Sequence, residues 1–229
     1  MIKCQYASAR LSRTSKVSPR AYRGEHRRAA AEETRARIIA AARALLTAEN
    51  GSELNVDAVA RNAGVARMTV YYQFGSKRGL LEAIFDNLAA GNLAATLPSA
   101  YAQPEPLEAL DALIRAFMWF WDSERLAIRR LRALADLDPI IGESLTARDE
   151  RRREGLRALM RRYGEPRGGT VDSLEEAVDV LHTLTSFETF DSLACVGRSP
   201  EEVARIVGDL AKKVLGVGDP ATDSRQLQT

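Results

Sequence analysis

Apolar residues in this chain recur at three- and four-residue spacing, and no stretch of any length alternates in twos. Helices set the first period and half-buried strands the second, so a sheet has nothing to be built from and the expected fold is all-α. The pattern starts at Ala31, where Ile38, Ile39, Ala42, Leu45 and Leu46 share a face before Asn50-Gly51 stops them. It is clearest at the end of the chain. There Ser199-Pro200-Glu201-Glu202 supplies a capping Ser, a Pro at the first helical position and a Glu at the third. Val203, Ile206, Val207, Leu210, Ala211, Val214 and Leu215 then follow in strict helical register up to Gly216.

Breaks divide the pattern. Asn55 is a good cap for a short second helix that ends at Gly64; a third runs from about Ala66 to Phe74; Gly75-Ser76 then introduces a fourth, to about Asn92. Pro98, Pro104 and Pro106 predict a linker over 92–106. Beyond it come a helix through Leu110 and Trp121, another closed at Asp138-Pro139, a highly charged helix from Arg148 to Arg162, one long helix from Val171 to Val196, and the capped final helix. The expected organisation is a flexible basic arm over 1–30, a small domain over 31–80, a larger helical domain over 81–218, and a disordered tail over 219–229.

Charge follows the same division. The formal net charge of +2 conceals +7 over residues 1–30, +2 over 31–80 and −7 over 81–229. A basic end on an acidic body suggests that one end faces a polyanion. The only cysteines, Cys4 and Cys195, imply no disulfide framework. No apolar run reaches the ~20 residues of a membrane span, so a cytoplasmic protein with no membrane partner is expected. The Arg- and Ser-rich composition of residues 10–20, which is also that of an organellar transit peptide, is the competing reading.

Two short helices meeting at Gly64, with a third behind, describe a helix-turn-helix. Gly64 permits a tight turn at a backbone angle that a Cβ would penalise, Ala63 lets the helices approach, and Val65 plugs a small core of Val59, Ala60, Val70 and Phe74. The helix after the turn is then free to enter a major groove. The run Ala63-Gly64-Val65, then Thr69-Val70-Tyr71-Tyr72-x-Phe74, then Ser76-Lys77-x-x-Leu80 closely resembles the DNA-binding signature of the TetR family of bacterial transcriptional regulators. The likeness is direct over about residues 33–88; beyond them it extends only to size, helix content and order.

The resemblance implies a double-stranded DNA operator as partner. It assigns base or groove contacts to Arg67, Met68 and Tyr71, and phosphate contacts to Thr69, Tyr72 and Lys77. The chain departs from the family pattern at Val56, where a phosphate-binding Thr is frequent, and at Ala66, where Ser or Thr is common. It departs again at Met68, where a small residue is frequent, and at Gln73, where His is common. These changes bear on specificity rather than fold. The last two helices resemble the family's dimerisation pair, which implies a homodimer, with Leu181, Leu184, Val203, Val207, Leu210 and Val214 as candidate interface residues.

In the larger domain Phe117-Met118-Trp119-Phe120-Trp121 is the densest aromatic patch, and five consecutive apolar residues on a helix cannot all face one core. Phe117, Trp119, Phe120, Trp121, His182 and Phe187 are therefore candidates to line a pocket for a small apolar or aromatic effector. Catalysis finds no support: two histidines and two distant cysteines form no metal-ligand set, and no nucleophile–base pair or phosphate loop is legible. Neither a metal nor a cofactor is expected. The overall expectation is a repressor released from DNA by its effector; an activator, or a helical interaction protein without effector control, is the alternative.

Overall fold

The computed structural model describes residues 19–48, 54–91, 93–164 and 171–217, with side chains from His26 onward except at 171 and 172. Residues 1–18 of the expected arm and the expected tail over 219–229 lie outside them. Among the described residues every regular element is an α-helix, as the periodicity requires, and no helix is long and apolar enough to cross a membrane.

The first helix, α1 (Pro19–Thr47), begins twelve residues before the expected boundary at 30/31, so residues 19–30 of the arm are helical rather than flexible. Pro19 occupies the first position, where its missing N–H costs nothing. The following run of Arg, Ala and Glu consists of strong helix formers that tolerate one interior Gly24, worth ~1 kcal/mol. The buried face appears only at Ile38, Ala42 and Leu46.

Asn55 caps α2 (Val56–Ala63) by accepting from Ala58 N at 2.8 Å. Gly64 then turns the chain at φ 63°, ψ 39°, in the left-handed region, and leads into α3 (Arg67–Phe74). Ala66 makes no side-chain cap, as its identity dictates. Ser76 caps α4 (Lys77–Ala90) through Gly79 N at 3.0 Å. The expected domain boundary at 80/81 falls inside α4, a continuous helix that packs on α1 and α3 and also on α5 and α8.

The proline linker expected over 92–106 is largely helical. It contains α5 (Leu93–Tyr101), with Pro98 inside it, and Pro106 opens α6 (Pro106–Ser123). Leu93 and Ala100 are buried where α5 packs on α4 and α6, and this packing outweighs the ~3 kcal/mol that an interior proline costs. Next come α7 (Arg125–Ala135) and α8 (Pro139–Gly164).

The single helix expected over 171–196 is two, α9 (Val171–Leu184) and α10 (Phe187–Ala194). At the break Ser186 is extended and caps α10 through Thr189 N at 3.2 Å. The freed carbonyl of Thr185 accepts from the buried Trp121 Nε1 at 3.0 Å. A tertiary hydrogen bond from α6 thus replaces a helical one. In α11 (Pro200–Val214) Ser199 and Glu202 form the expected capping box, and the helix packs along α6.

Candidate nucleic-acid interface

The α2–turn–α3 unit is anchored from below. Val70 and Phe74 are buried, while Val65 packs against the same core from the turn. From α1, Asn62 is held by a hydrogen bond from its Nδ2 to Ala41 O at 3.0 Å. Arg35 donates to Gln73 O at 2.9 Å and stacks 4.3 Å over the Phe74 ring. These contacts fix the pose of α3, and the sequence reading did not find Arg35. Its only signal was a cation at helical spacing from Ile38 and Ile39.

The opposite face of α3 is open. Met68 is 73% exposed and Tyr72 87%, an unusual display for large apolar and aromatic side chains. Arg67 is exposed too, tied to Asp57 at 2.9 Å and to the Tyr71 hydroxyl at 3.3 Å. Tyr71 is half-buried and packs against the core, so it serves as a platform under Arg67. Thr69 is half-buried on the same helix.

Lys77 sits differently from the other candidate contacts. Its ammonium is paired with Asp138, at the corner between α7 and α8, and both side chains are largely covered. Its neighbour Arg78 pairs with Glu143 on α8. The first turn of α4 is therefore held to the larger domain through two cations, of which Lys77 is the one that the family resemblance assigns to a DNA phosphate. Asp138 carried no signal for this role, because pairing across 61 residues has no local pattern.

A cavity of about 360 Å³ lies among α4, α5, α6, α7 and α8, within the size range of small-molecule sites. Phe117, Phe120 and Trp121 line it. The other three candidates do not. Trp119 is 41% exposed on the opposite side of α6, at a shallow surface groove. A residue two positions from Phe117 and from Trp121 projects about 200° around the helix. Phe187 stands behind Trp121, edge to face at 5.7 Å.

His182 is screened from the cavity by Arg152, which donates to His182 O at 2.6 Å and to Thr185 Oγ1 at 2.8 Å. His182 Nε2 lies 3.0 Å from Arg152 Nη2 and 3.1 Å from Asp149 O. It cannot satisfy both, since the guanidinium needs an acceptor and the carbonyl a donor. Burial, then Arg152, lowers the His182 pKa below its ordinary value. The tautomer decides which of the two it meets: with Nε2 bare the ring accepts from Arg152, and with Nε2 protonated it donates to Asp149 O.

The candidate interface residues also separate. Leu181, Val203 and Val207 are fully buried within the monomer, because α11 turns the 203/207/211 ridge toward the core. Leu184 is partly buried. Leu210 and Val214, on the neighbouring ridge, are 41% and 42% exposed, and Val180 on α9 is 41% exposed.

Comparison with known proteins bears on the first four helices most directly. Residues 38–84 match the family described as bacterial regulatory proteins, tetR family. Over 56 residues the chain is 46% identical to the HTH-type transcriptional regulator SrpR of Pseudomonas putida, a stretch that is 24% of this chain and 26% of that protein. The chain thus spans about a quarter of the length of the curated relative it matches. In overall fold it is similar to a TetR-like transcriptional regulator from Rhodococcus sp. RHA1, with TM-score 0.59 and 21% identity over 81% of this chain and 97% of the other. A TetR transcription regulator from Haloarcula marismortui gives TM-score 0.58 and 20% identity over 80% and 96%.

Proposed function

We propose that this chain, whose N-terminal residues 38–84 match the tetR family of bacterial regulatory proteins, is a homodimeric repressor released from its operator by a small molecule bound in the cavity beside α6. The observation that carries the DNA reading is the solvent face of α3, where Met68 and Tyr72 are presented over a helix anchored by Val70 and Phe74. In this reading Arg67, Met68 and Tyr71 meet bases or the groove, and Thr69, Tyr72 and Lys77 meet phosphates. Met68 offers an apolar contact suited to a thymine methyl, and Arg67 a fork suited to guanine. To do so Arg67 exchanges Asp57 for a base edge.

Two recognition helices must reach successive major grooves, which requires a two-fold dimer. The exposed Val180, Leu210 and Val214, with the partly buried Leu184, make an apolar face across α9 and α11 that a second copy would cover. The effector acts through α4, which packs on α3 and lines the cavity through Phe85 and Ala89. Its leverage is limited to its differential affinity for the DNA-competent and released states.

Footprinting on DNA flanking the gene, followed by anisotropy titration of the protected site, tests the proposal. Protection of a site with two half-sites about one helical turn apart, by a protein that sediments as a dimer, is the expected result. Protection absent at all flanking sequences, or a monomer at micromolar concentration, refutes it.

A further inference from the structure

The walls of the cavity differ in chemistry. On α6, Phe117, Phe120 and Trp121 form an aromatic wall, with ring centroids 4.8 Å apart for Phe120–Trp121 and 5.7 Å for Phe117–Trp121. Across from it α8 contributes Arg148, Arg151, Arg152 and Gly155, which at spacings of three, four and seven share one helical face. Arg132 of α7 adds a fourth guanidinium, against only Asp86 and Asp149 among the lining carboxylates.

Those carboxylates are already engaged. Asp149 serves both Arg132 and Arg152, at 3.2 Å each, and Asp86 meets Arg148 at 3.4 Å from a largely exposed position. Arg132 and Arg148 have further partners outside the lining, Glu188 and Glu82, at 2.8 Å each. Arg132 Nε is nonetheless enclosed with no hydrogen-bond partner. Among the described residues the Arg151 Nε reaches only Ala147 O of its own helix, at 3.2 Å. Arg152 is almost entirely buried, and burial is the main influence lowering its pKa.

A polar group faces these cations. Tyr101 lines the cavity from α5, and its hydroxyl lies over Gly155, where any Cβ would collide with it. That hydroxyl makes no hydrogen bond among the described residues, and burial raises its pKa, with the charge of Arg152 acting against the rise. A neutral apolar ligand filling this space would strip water from guanidiniums and a phenol without replacing the hydrogen bonds. A cation would add to the charge on the α8 wall.

We infer that the cavity binds a hydrophobic carboxylate, its apolar body against Phe117, Phe120 and Trp121 and its carboxylate between the Tyr101 hydroxyl and the Arg152 side of α8. This deepens the effector reading by naming the ligand's chemical class, and it needs no DNA to be tested.

Calorimetric titration of the full chain compares 2-naphthoate and decanoate, a rigid and a flexible body, with 2-naphthamide and decanamide. At least one carboxylate should bind about tenfold or more tighter than its own amide, as charge-assisted hydrogen bonds require. Arg152→Gln, which removes the buried charge, should weaken the carboxylate about tenfold and the amide less. Tyr101→Phe, a one-atom change that keeps the ring, should weaken the carboxylate several-fold and keeps the test decisive if Arg152→Gln does not fold. Amides binding as tightly as carboxylates, or neither body binding at millimolar concentration, overturns the inference. Carboxylate binding that leaves DNA affinity unchanged upholds the ligand class and refutes effector control instead.

Discussion

If Lys77 contacts a DNA phosphate as proposed, its pairing with Asp138 makes DNA binding and the contact with the larger domain compete for one ammonium. Each protomer must then first release it from Asp138. The informative perturbation is Asp138→Asn. The carboxylate has two tasks, since Oδ2 holds Lys77 and Oδ1 accepts from Ile140 N in the first turn of α8 at 3.2 Å. Asn retains an acceptor for the second and is as good a cap as Asp, so the change removes the ion pair alone. With side chains 29% and 20% exposed, the pair lies at the upper end of the surface range, about 0.5–1 kcal/mol. Two copies per dimer give ~1–2 kcal/mol, or about 5- to 30-fold in affinity. Asp138→Asn should therefore tighten DNA binding by about that factor on operator and random duplex alike, measured by fluorescence anisotropy at fixed salt. Removing a negative charge near DNA also helps non-specifically, so the same change is made in a Lys77→Ala background. There the gain should fall to within about twofold. Equal gains in both backgrounds, or no gain in either with thermal stability intact, would refute the competition.

Three further outcomes follow from the geometry. Arg67→Ala should relax base preference at one position of each half-site while leaving affinity for random duplex nearly unchanged; equal losses on both would remove its base-reading role. Gly64→Ala has open space for its methyl but must hold φ 63°, so it should cost ~1–2 kcal/mol, about 2–8 °C in melting temperature for a chain of this size; an unchanged melting temperature would contradict the turn geometry. His182 has a folded pKa below its unfolded value, so the unfolded chain binds more protons in the window between them. Stability is then fully present above the unfolded value near 6.5 and declines as pH falls below it. Denaturant midpoints at pH 7.5 and 5.5 should differ less in His182→Asn than in the parent, and identical pH dependence would discount the Arg152–His182 contact.

Legibility followed the range of the interactions involved. Gly64, Asn55, Ser76 and Ser199 could be read because a turn or a cap is decided within four residues. The open face of α3 was legible for the same reason, since burying Val70 and Phe74 leaves Met68 and Tyr72 outside on an eight-residue helix. The pocket was half legible: Phe117, Phe120 and Trp121 were found as an aromatic patch, but Arg148 and Arg152 resemble any solvated helix face until α5 and α6 enclose them. The interface candidates on α11 split, with Val203 and Val207 in the core and Leu210 and Val214 exposed, because a fully apolar i, i+3, i+4 stripe is wider than either contact and does not say which ridge the monomer covers.

The sequence by itself determined that the chain is helical, where most helices stop, and that residues 55–81 form a helix-turn-helix, since periodicity, caps and left-handed glycines are local physics. Tertiary structure alone decided that Pro98 lies inside a helix, that α9 and α10 part at Thr185 and Ser186 to meet Trp121, and that Lys77 answers to Asp138. In each case a contact made across tens of residues outweighs a local preference of a few kcal/mol or less, and such a contact exists only once the helices have packed.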